Sequence, residues 1–148
     1  MKKFYICTKS LGMKKYFALF AISALLFSCG KYEEGPGFSL LSKKNRITNL
    51  WKLTSRTTNG EVTNLSNFTW DVEIKDDETY TSKAFLFGVN FLNESGNWKF
   101  SSDKKQLLTT PSGSTNTASW DIVRLTKDEL KLRYVSSGDT IVDTFSGQ

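Results

Sequence analysis

The side chains that most often carry enzyme chemistry are scarce in this chain. The sequence contains no histidine, and its two cysteines are Cys7 and Cys29. Zinc sites are built mainly from histidine and cysteine, and nucleophilic triads need a histidine or an equivalent base. We therefore expect a protein that is not an enzyme, with no metal site, no cofactor and no catalytic residue.

Carboxylates remain available, since a pair of acidic residues can hydrolyse a glycosidic bond. The densest acidic group is Asp76, Asp77 and Glu78. These three polar residues stand between two alternating apolar runs, a pattern typical of a hairpin turn. We interpret them as a turn, with calcium binding or carboxylate catalysis as the alternatives.

Cys29 is positioned for a different chemistry, the covalent attachment of lipid. Residues 26–30 read Leu-Phe-Ser-Cys-Gly and close an apolar stretch, 16–27, that follows Lys14 and Lys15. A basic segment, an apolar core of 7 to 15 residues and small residues before the cut define a secretory signal. The apolar stretch is shorter than the 18 or so residues that a membrane-spanning helix needs. We predict a lipoprotein signal peptide over 1–28, with Met13 as a possible true start, and acyl chains such as palmitate on Cys29; a retained membrane helix or ordinary secretion is the alternative.

Removal of this segment changes the charge balance. Five of the 20 basic residues lie before Cys29 and none of the 15 acidic residues do, so 15 of each remain. A nucleic-acid binder needs a basic patch that displaces counterions from phosphate. The expected partners are a membrane, through the lipid on Cys29, and a small apolar ligand, with no nucleic acid and a monomeric state.

Residues 29–45 form a predicted tether and lead-in segment. Gly35, Pro36 and Gly37 predict a flexible or extended chain, and the polar residues after Ser39 predict a short helix or turn. Gly30 stands where an aspartate would signal inner-membrane retention, which implies delivery to the outer membrane. Residues 31–34 also resemble the short charged export signals of Bacteroidota, which implies a surface-exposed protein; a periplasm-facing anchor is the alternative.

Residues 46–148 are predicted to form one all-β domain. Short runs with period-2 alternation, separated by turn residues, recur at the spacing of a sandwich or barrel. About eight strands are predicted: 51–55, 68–75, 79–87, 97–101, 106–110, 119–125, 130–135 and 140–145. Nearly every connection is short enough for a hairpin, which favours a small up-and-down antiparallel barrel over a Greek-key sandwich.

The domain resembles a known family at several points. The start 46–55, with Trp51 entering the first strand, is similar to the Gly-x-Trp opening of lipocalins and related calycins. The segments 32–44, 96–105 and 125–132 resemble the lipocalin-like lipoproteins common in Bacteroidota. Asn49 replaces the glycine of the lipocalin motif, and asparagine tolerates the same left-handed backbone.

The resemblance also implies an arginine that stacks over the first-strand tryptophan, because lipocalins place one there. Arg124 is the candidate, since it shares a strand face with Trp120 and Ile122; a rim or ligand-facing charge is the alternative.

Aromatic residues supply the candidate ligand site. Trp70, Trp98 and Trp120 each alternate in phase with other apolar residues and should point inward, whereas Trp51 is expected to be structural core. A small barrel lined with aromatic side chains offers an apolar cavity with a few polar groups. The predicted ligand-binding residues are Trp70, Tyr80, Trp98, Trp120, Arg124 and Tyr134.

Phe85, Phe87 and Phe91 form a second apolar patch whose alternation slips at Gly88. We interpret Gly88 as a bulge or a barrel corner. The three rings either line the mouth of a cavity or only pack.

Two functions follow from these patterns. The first is capture of a small hydrophobic or amphipathic ligand without catalysis, and the second is a solid-core barrel that acts as an interaction or inhibitor module at the cell surface. A cavity of several hundred cubic ångströms would favour capture, and a filled core would favour the second. Thr140, within Asp-Thr-Ile, also resembles a general O-glycosylation site of Bacteroidota.

Overall fold

The structure, a computed structural model, describes residues 32–35 and 39–148. In this described part of the chain, one short helix precedes nine antiparallel strands. The elements are α1 (Lys43–Ile47), β1 (Asn49–Thr58), β2 (Glu61–Val62), β3 (Phe68–Ile74), β4 (Thr79–Leu86), β5 (Val89–Phe100), β6 (Gln106–Pro111), β7 (Ala118–Leu125), β8 (Glu129–Ser136) and β9 (Asp139–Gly147).

Eight of these strands close into an up-and-down barrel. The sheet order is β2-β1-β3-β4-β5-β6-β7-β8-β9, and β1 also pairs with β9. The first half of β1 pairs with β3, whereas Trp51 to Thr58 pair with β9 and complete the ring. The two-residue β2 pairs only with the end of β1. The predicted fold class is therefore confirmed.

The two ends of the barrel differ. At the closed end, α1 packs beneath the strands, with the Ser42 side chain capping the helix by accepting from the Asn45 amide. The fully buried Trp51 donates its indole N–H to the Ile47 carbonyl at 2.7 Å. Arg46 donates to the Leu125 carbonyl at 2.8 Å. These bonds fix the helix across the barrel, so this end is filled by side chains. We call the opposite end, which carries the β4–β5 and β8–β9 turns, the open end.

Three irregularities interrupt the inward and outward alternation of the strands. Pairing shifts by one residue at Thr54 on β1, at Phe91 on β5 and at Val123 on β7. A bulge of this kind leaves one residue unpaired and reverses which side chains face inward beyond it. The consequences for the site are described below.

Two glycines differ from the sequence prediction. Gly88 is part of a two-residue hairpin turn, in which Phe87 and Gly88 both have positive φ (52° and 76°), as a type I′ turn requires. The bulge expected at Gly88 lies instead at Phe91. Gly96, which the sequence places in a turn before a strand, lies inside β5, where an added Cβ would be 2.2 Å from the Thr110 carbonyl oxygen. Only glycine allows β5 and β6 to approach this closely.

The described part of the predicted tether packs against the outside of the barrel. Tyr32 is 4 % exposed, and burial raises its pKa to about 12. Glu33 forms two hydrogen bonds with Arg133, at 2.9 and 3.0 Å, and Glu34 lies 2.6 Å from the Lys131 ammonium. The Glu34 amide donates to the Val123 carbonyl at 2.9 Å. Residues 32–35 are therefore attached to β7 and β8 and are not a free linker.

Among the residues that the structure describes, no helix has the length and apolar character needed to cross a membrane.

Candidate functional site

A cavity of about 340 Å³ lies inside the barrel. Its floor is formed by Trp51, Ile74, Leu130 and Phe145, each at most 2 % exposed. Farther toward the open end its lining includes Ala118, which is exposed. The cavity is therefore deep and dry at the closed end and reaches solvent at the open end. Its volume lies at the small end of ordinary ligand pockets, which span about 300 to 1,000 Å³.

The walls of the cavity are aromatic. The Trp70 ring packs edge-on against Phe145, with centroids 5.4 Å apart, and lies 6.3 Å from Trp120. The indole N–H of Trp70 donates to the Ser82 hydroxyl at 2.7 Å, and that of Trp120 donates to the Thr109 hydroxyl at 3.0 Å. Because both donors are satisfied by the protein, these walls offer a guest mainly apolar ring surface.

One carboxylate faces the cavity. Glu94 lies on β5 between Leu92 and Gly96 in the inward alternation, and it accepts a hydrogen bond from the Tyr80 hydroxyl at 2.6 Å. Burial, together with this hydrogen bond, raises the pKa of Tyr80 well above its ordinary value. Tyr80 therefore stays a neutral donor to Glu94 at physiological pH.

A charged pair lies beside the part of the cavity wall nearer the open end, here called the upper wall, where β1 pairs with β9. Asp143 is 1 % exposed and accepts two hydrogen bonds from Arg56, at 2.6 and 2.8 Å. The Arg56 guanidinium also lies over the rings of Phe68 and Trp70, 5.4 and 5.7 Å from their centroids. The bond to Asp143 raises the pKa of Arg56 further, so the guanidinium keeps its proton.

Three of the six predicted ligand-binding residues line the cavity: Trp70, Tyr80 and Trp120. Trp51, predicted as structural core, is fully buried and also contributes to the floor. The strand alternation was sufficient to place these four residues, because no bulge intervenes between them and their apolar neighbours.

Trp98 and Tyr134 point inward but do not line the cavity. Trp98 lies near the closed end, where its indole N–H donates to the Lys75 carbonyl at 2.8 Å. Tyr134 packs edge-on against Trp120 at 4.7 Å and contacts Arg56 and Asp143 through its hydroxyl. Burial and the Asp143 carboxylate raise the pKa of Tyr134 to about 12. Tyr134 therefore supports the wall residue Trp120, and Trp98 belongs to the core near the closed end.

Arg124 lies outside the barrel. The extra residue Val123 reverses the alternation after Ile122, so Leu125 points inward and Arg124 outward. Arg124 pairs with Glu129 at 2.7 Å and donates to the Glu34 carbonyl at 2.8 Å. Arg124 neither stacks on Trp51 nor lines the cavity, and it helps to attach residues 32–35 instead.

The phenylalanine patch lies at the open end. Phe87 and Phe91 are 73 % and 60 % exposed, and Phe91 packs against Phe68 with centroids 6.1 Å apart. Phe85 is half-buried on β4. Phe68, Phe87 and Phe91 thus border the mouth, whereas none of the three predicted rings lines the cavity itself.

Sequence reasoning missed the three charged residues of the interior. Asp143 could have been found, because it alternates with Ile141 and Phe145 on one face of β9. Glu94 was missed because Ser95 and Gly96 were interpreted as a turn. Arg56 was hidden by the Thr54 bulge, which rotates it to the inner face.

The remaining predicted sites are placed as follows. The acidic residues Asp76 to Glu78 form the turn between β3 and β4, and the described residues contain no cluster of acidic or sulfur ligands suited to a metal. Thr140 is exposed at the start of β9. Cys29, the predicted lipidation site, lies outside the described residues.

Comparison with protein-family models gives a match. The family model described as a lipocalin-like domain matches residues 47–132, which is more than half of the chain. The matched part runs from the end of α1 through the first half of β8 and includes nearly the whole cavity lining. A search of curated proteins found no match to this chain.

Proposed function

The chain belongs to the family of lipocalin-like domains, and we propose that it is an outer-membrane lipoprotein whose barrel captures a small hydrophobic or amphipathic molecule without changing it chemically. The observation that carries this proposal is the cavity of about 340 Å³. At about 30 Å³ for each water-sized group, it holds on the order of ten non-hydrogen atoms. An eight-stranded barrel can enclose one ligand of this size.

The chemistry of the lining supports capture without catalysis. The floor and walls are formed by Trp51, Trp70, Trp120, Leu130 and Phe145, and apolar surface of this kind binds a guest by excluding water. The second function considered from the sequence, a solid-core interaction module, requires a filled interior. Because the barrel contains a cavity of about 340 Å³, its interior is not filled.

Uptake of a neutral apolar probe tests the proposal. Azulene, a neutral ten-carbon hydrocarbon that absorbs where tryptophan emits, should bind the purified full-length protein at a stoichiometry near one and should quench tryptophan emission, because Trp70 and Trp120 form the wall. Ala118→Phe should weaken binding, since Ala118 lines the cavity near its mouth. Ser119→Phe is the matched control, because Ser119 is the next residue on β7 and points outward.

The result that would refute capture is clear. If the parent protein takes up no probe, or if both variants reduce binding equally, the cavity is not a binding site.

Anchoring through Cys29 is the second part of the proposal. It is supported by the apolar stretch and small residues before Cys29 and by the basic pair Lys14 and Lys15. Several acyl chains hold a protein firmly on a bilayer, whereas one myristoyl chain binds the membrane with an association constant of only about 10⁴ per molar. Cys29→Ala should release the protein from the outer-membrane fraction or stall its processing, and Cys7→Ala should change neither.

The face of the outer membrane can be tested in the same strain. We propose surface exposure because residues 31–34 resemble export signals, and protease treatment of intact cells should then degrade the domain. A protein that resists protease until the cells are broken faces the periplasm. An unchanged membrane fraction for Cys29→Ala would refute the lipid anchor itself.

A further inference from the structure

The charges inside the barrel define the head group that a guest can carry. Among residues 32–35 and 39–148, three charged side chains face inward: Arg56, Glu94 and Asp143. Two carboxylates against one guanidinium give the interior a net negative charge. An apolar interior screens charge poorly, so this imbalance matters more here than on the surface.

The one interior cation is already neutralised. Arg56 gives two of its hydrogen bonds to Asp143, at 2.6 and 2.8 Å, in the bidentate arrangement that best fits a carboxylate. Arg56 does not line the cavity, and an anionic head group that reached it would either face the Asp143 carboxylate on the same guanidinium or have to displace it. Displacement would leave the Asp143 charge uncompensated, at a cost that a single new contact does not recover.

Glu94 is in the opposite situation. It lines the cavity, and no lysine or arginine among the described residues lies within 4.0 Å of its carboxylate. Its Oε1 accepts from the Tyr80 hydroxyl, and within the same described part of the chain no donor reaches its Oε2. Glu94 is half-buried, and this carboxylate oxygen faces the cavity with an acceptor site that a guest's donor can fill.

We propose that Glu94 selects an amphipathic guest that carries a protonated amine or a hydroxyl on an apolar skeleton of about ten non-hydrogen atoms. This inference rests on the proposed capture function and specifies its ligand class. The donor head group binds Glu94 Oε2, and the skeleton lies against Trp70, Trp120 and Phe145. A fatty-acid carboxylate is rejected, because it would face Glu94 with like charge and find no free cation in the described interior.

Three competitors of equal length test the selection. Decylamine, decanol and decanoate are each titrated against azulene bound to the full-length protein, because azulene has no hydrogen-bond donor of its own. Decylamine should displace the probe at a concentration about tenfold or more below that of decanoate, the size expected of a charged hydrogen bond, with decanol between them.

Two variants assign the selection to Glu94. Glu94→Gln keeps the shape and the acceptor for Tyr80 but removes the charge, so decylamine and decanoate should then compete within about threefold of each other. Glu73→Gln is the matched control, since Glu73 lies on β3, faces outward and pairs with Lys75 at 3.6 Å. It should keep the preference of the parent. Tyr80→Phe provides a second variant, because it frees both carboxylate oxygens and should strengthen amine binding.

The outcomes separate this inference from the proposed function. Probe uptake without a preference for decylamine, or a preference that survives in Glu94→Gln, overturns the selection by Glu94 and leaves capture standing. No probe uptake by the parent protein overturns both.

Discussion

Removal of Arg56 should destabilise the barrel more than removal of any single exposed charge. Arg56→Met leaves the Asp143 carboxylate, 1 % exposed, without its two charged hydrogen bonds. Breaking a buried ion pair by removing one partner costs about 3 to 5 kcal/mol. Against a typical domain stability of about 5 to 15 kcal/mol, this is a large fraction.

The reverse deletion should cost less. In Asp143→Leu the guanidinium loses its carboxylate, but its side chain is already 20 % exposed, so water can partly solvate the charge. We expect a loss of about 1 to 3 kcal/mol, the cost of one poorly satisfied charged group. The double variant Arg56→Met/Asp143→Leu removes both charges and should return to within about 1 to 2 kcal/mol of the parent, since apolar replacement of a buried pair is often neutral.

Urea unfolding followed by tryptophan fluorescence measures all four proteins. The double-mutant cycle then gives the coupling between Arg56 and Asp143, which should be at least about 2 kcal/mol, since the two single losses together exceed the loss in the double variant by that much. Glu73→Gln serves as the exposed control and should change stability by less than about 0.5 kcal/mol. If Arg56→Met loses less than about 1 kcal/mol, or if the double variant loses the full sum of the single ones, the pair is not the buried, coupled unit described above.

Three further predictions concern other parts of the chain. Gly96→Ala should lower stability by about 1 to 3 kcal/mol in thermal unfolding, because the added Cβ would meet the Thr110 carbonyl oxygen; an unchanged melting temperature would show that β5 and β6 can separate freely. The bond to Arg133 lowers the pKa of Glu33 below the ordinary value of a glutamate, so attachment of residues 32–35 is complete above that ordinary value and is lost as the pH falls through the lowered pKa. Protection of the Glu34 amide from hydrogen exchange, taken relative to the intrinsic rate at each pH, should fall as Glu33 becomes protonated, whereas equal protection in the parent and in Glu33→Gln at neutral pH would contradict it. Thr140, which is exposed, should carry an O-linked glycan in protein from the native host, and an unmodified Thr140 peptide in mass spectra would reject this.

The barrel itself was accessible from the sequence because alternation survives wherever the strands are regular. Trp70, Val72 and Ile74 share one face of β3, and the structure turns all three toward the interior. Short polar connections such as Asp76 to Glu78 fixed the hairpins, and consecutive hairpins leave few topologies other than a meander. Asn49 replaces the lipocalin glycine without loss of the fold, because its backbone lies in a regular extended strand.

Only half of the predicted ligand-binding residues were placed correctly from the sequence, and the reason is the local backbone geometry of the strands. A bulge adds one residue to one strand of a pair and is not visible in a pattern of apolar and polar letters. At Val123 it moved Arg124 out of the barrel, and at Thr54 it moved Arg56 into it. The predicted and the observed interior arginine thus differ because each lies just beyond a bulge.

The position of the Arg56–Asp143 pair explains why a costly charge pair fits this fold. Residues 56 and 143 are direct partners across the seam where β1 meets β9 and the barrel closes. The Thr54 bulge leaves two registers conceivable for the remainder of β1, and they differ in which side chains face inward. A slip of one residue would turn the Arg56 guanidinium outward and leave Asp143 buried without a partner. The pair therefore strongly favours the observed register of β1 and β9 over the register shifted by one residue, even where an apolar pair would give equal overall stability. It also fixes the Phe68 and Trp70 rings beneath the guanidinium, and through them the upper wall of the cavity.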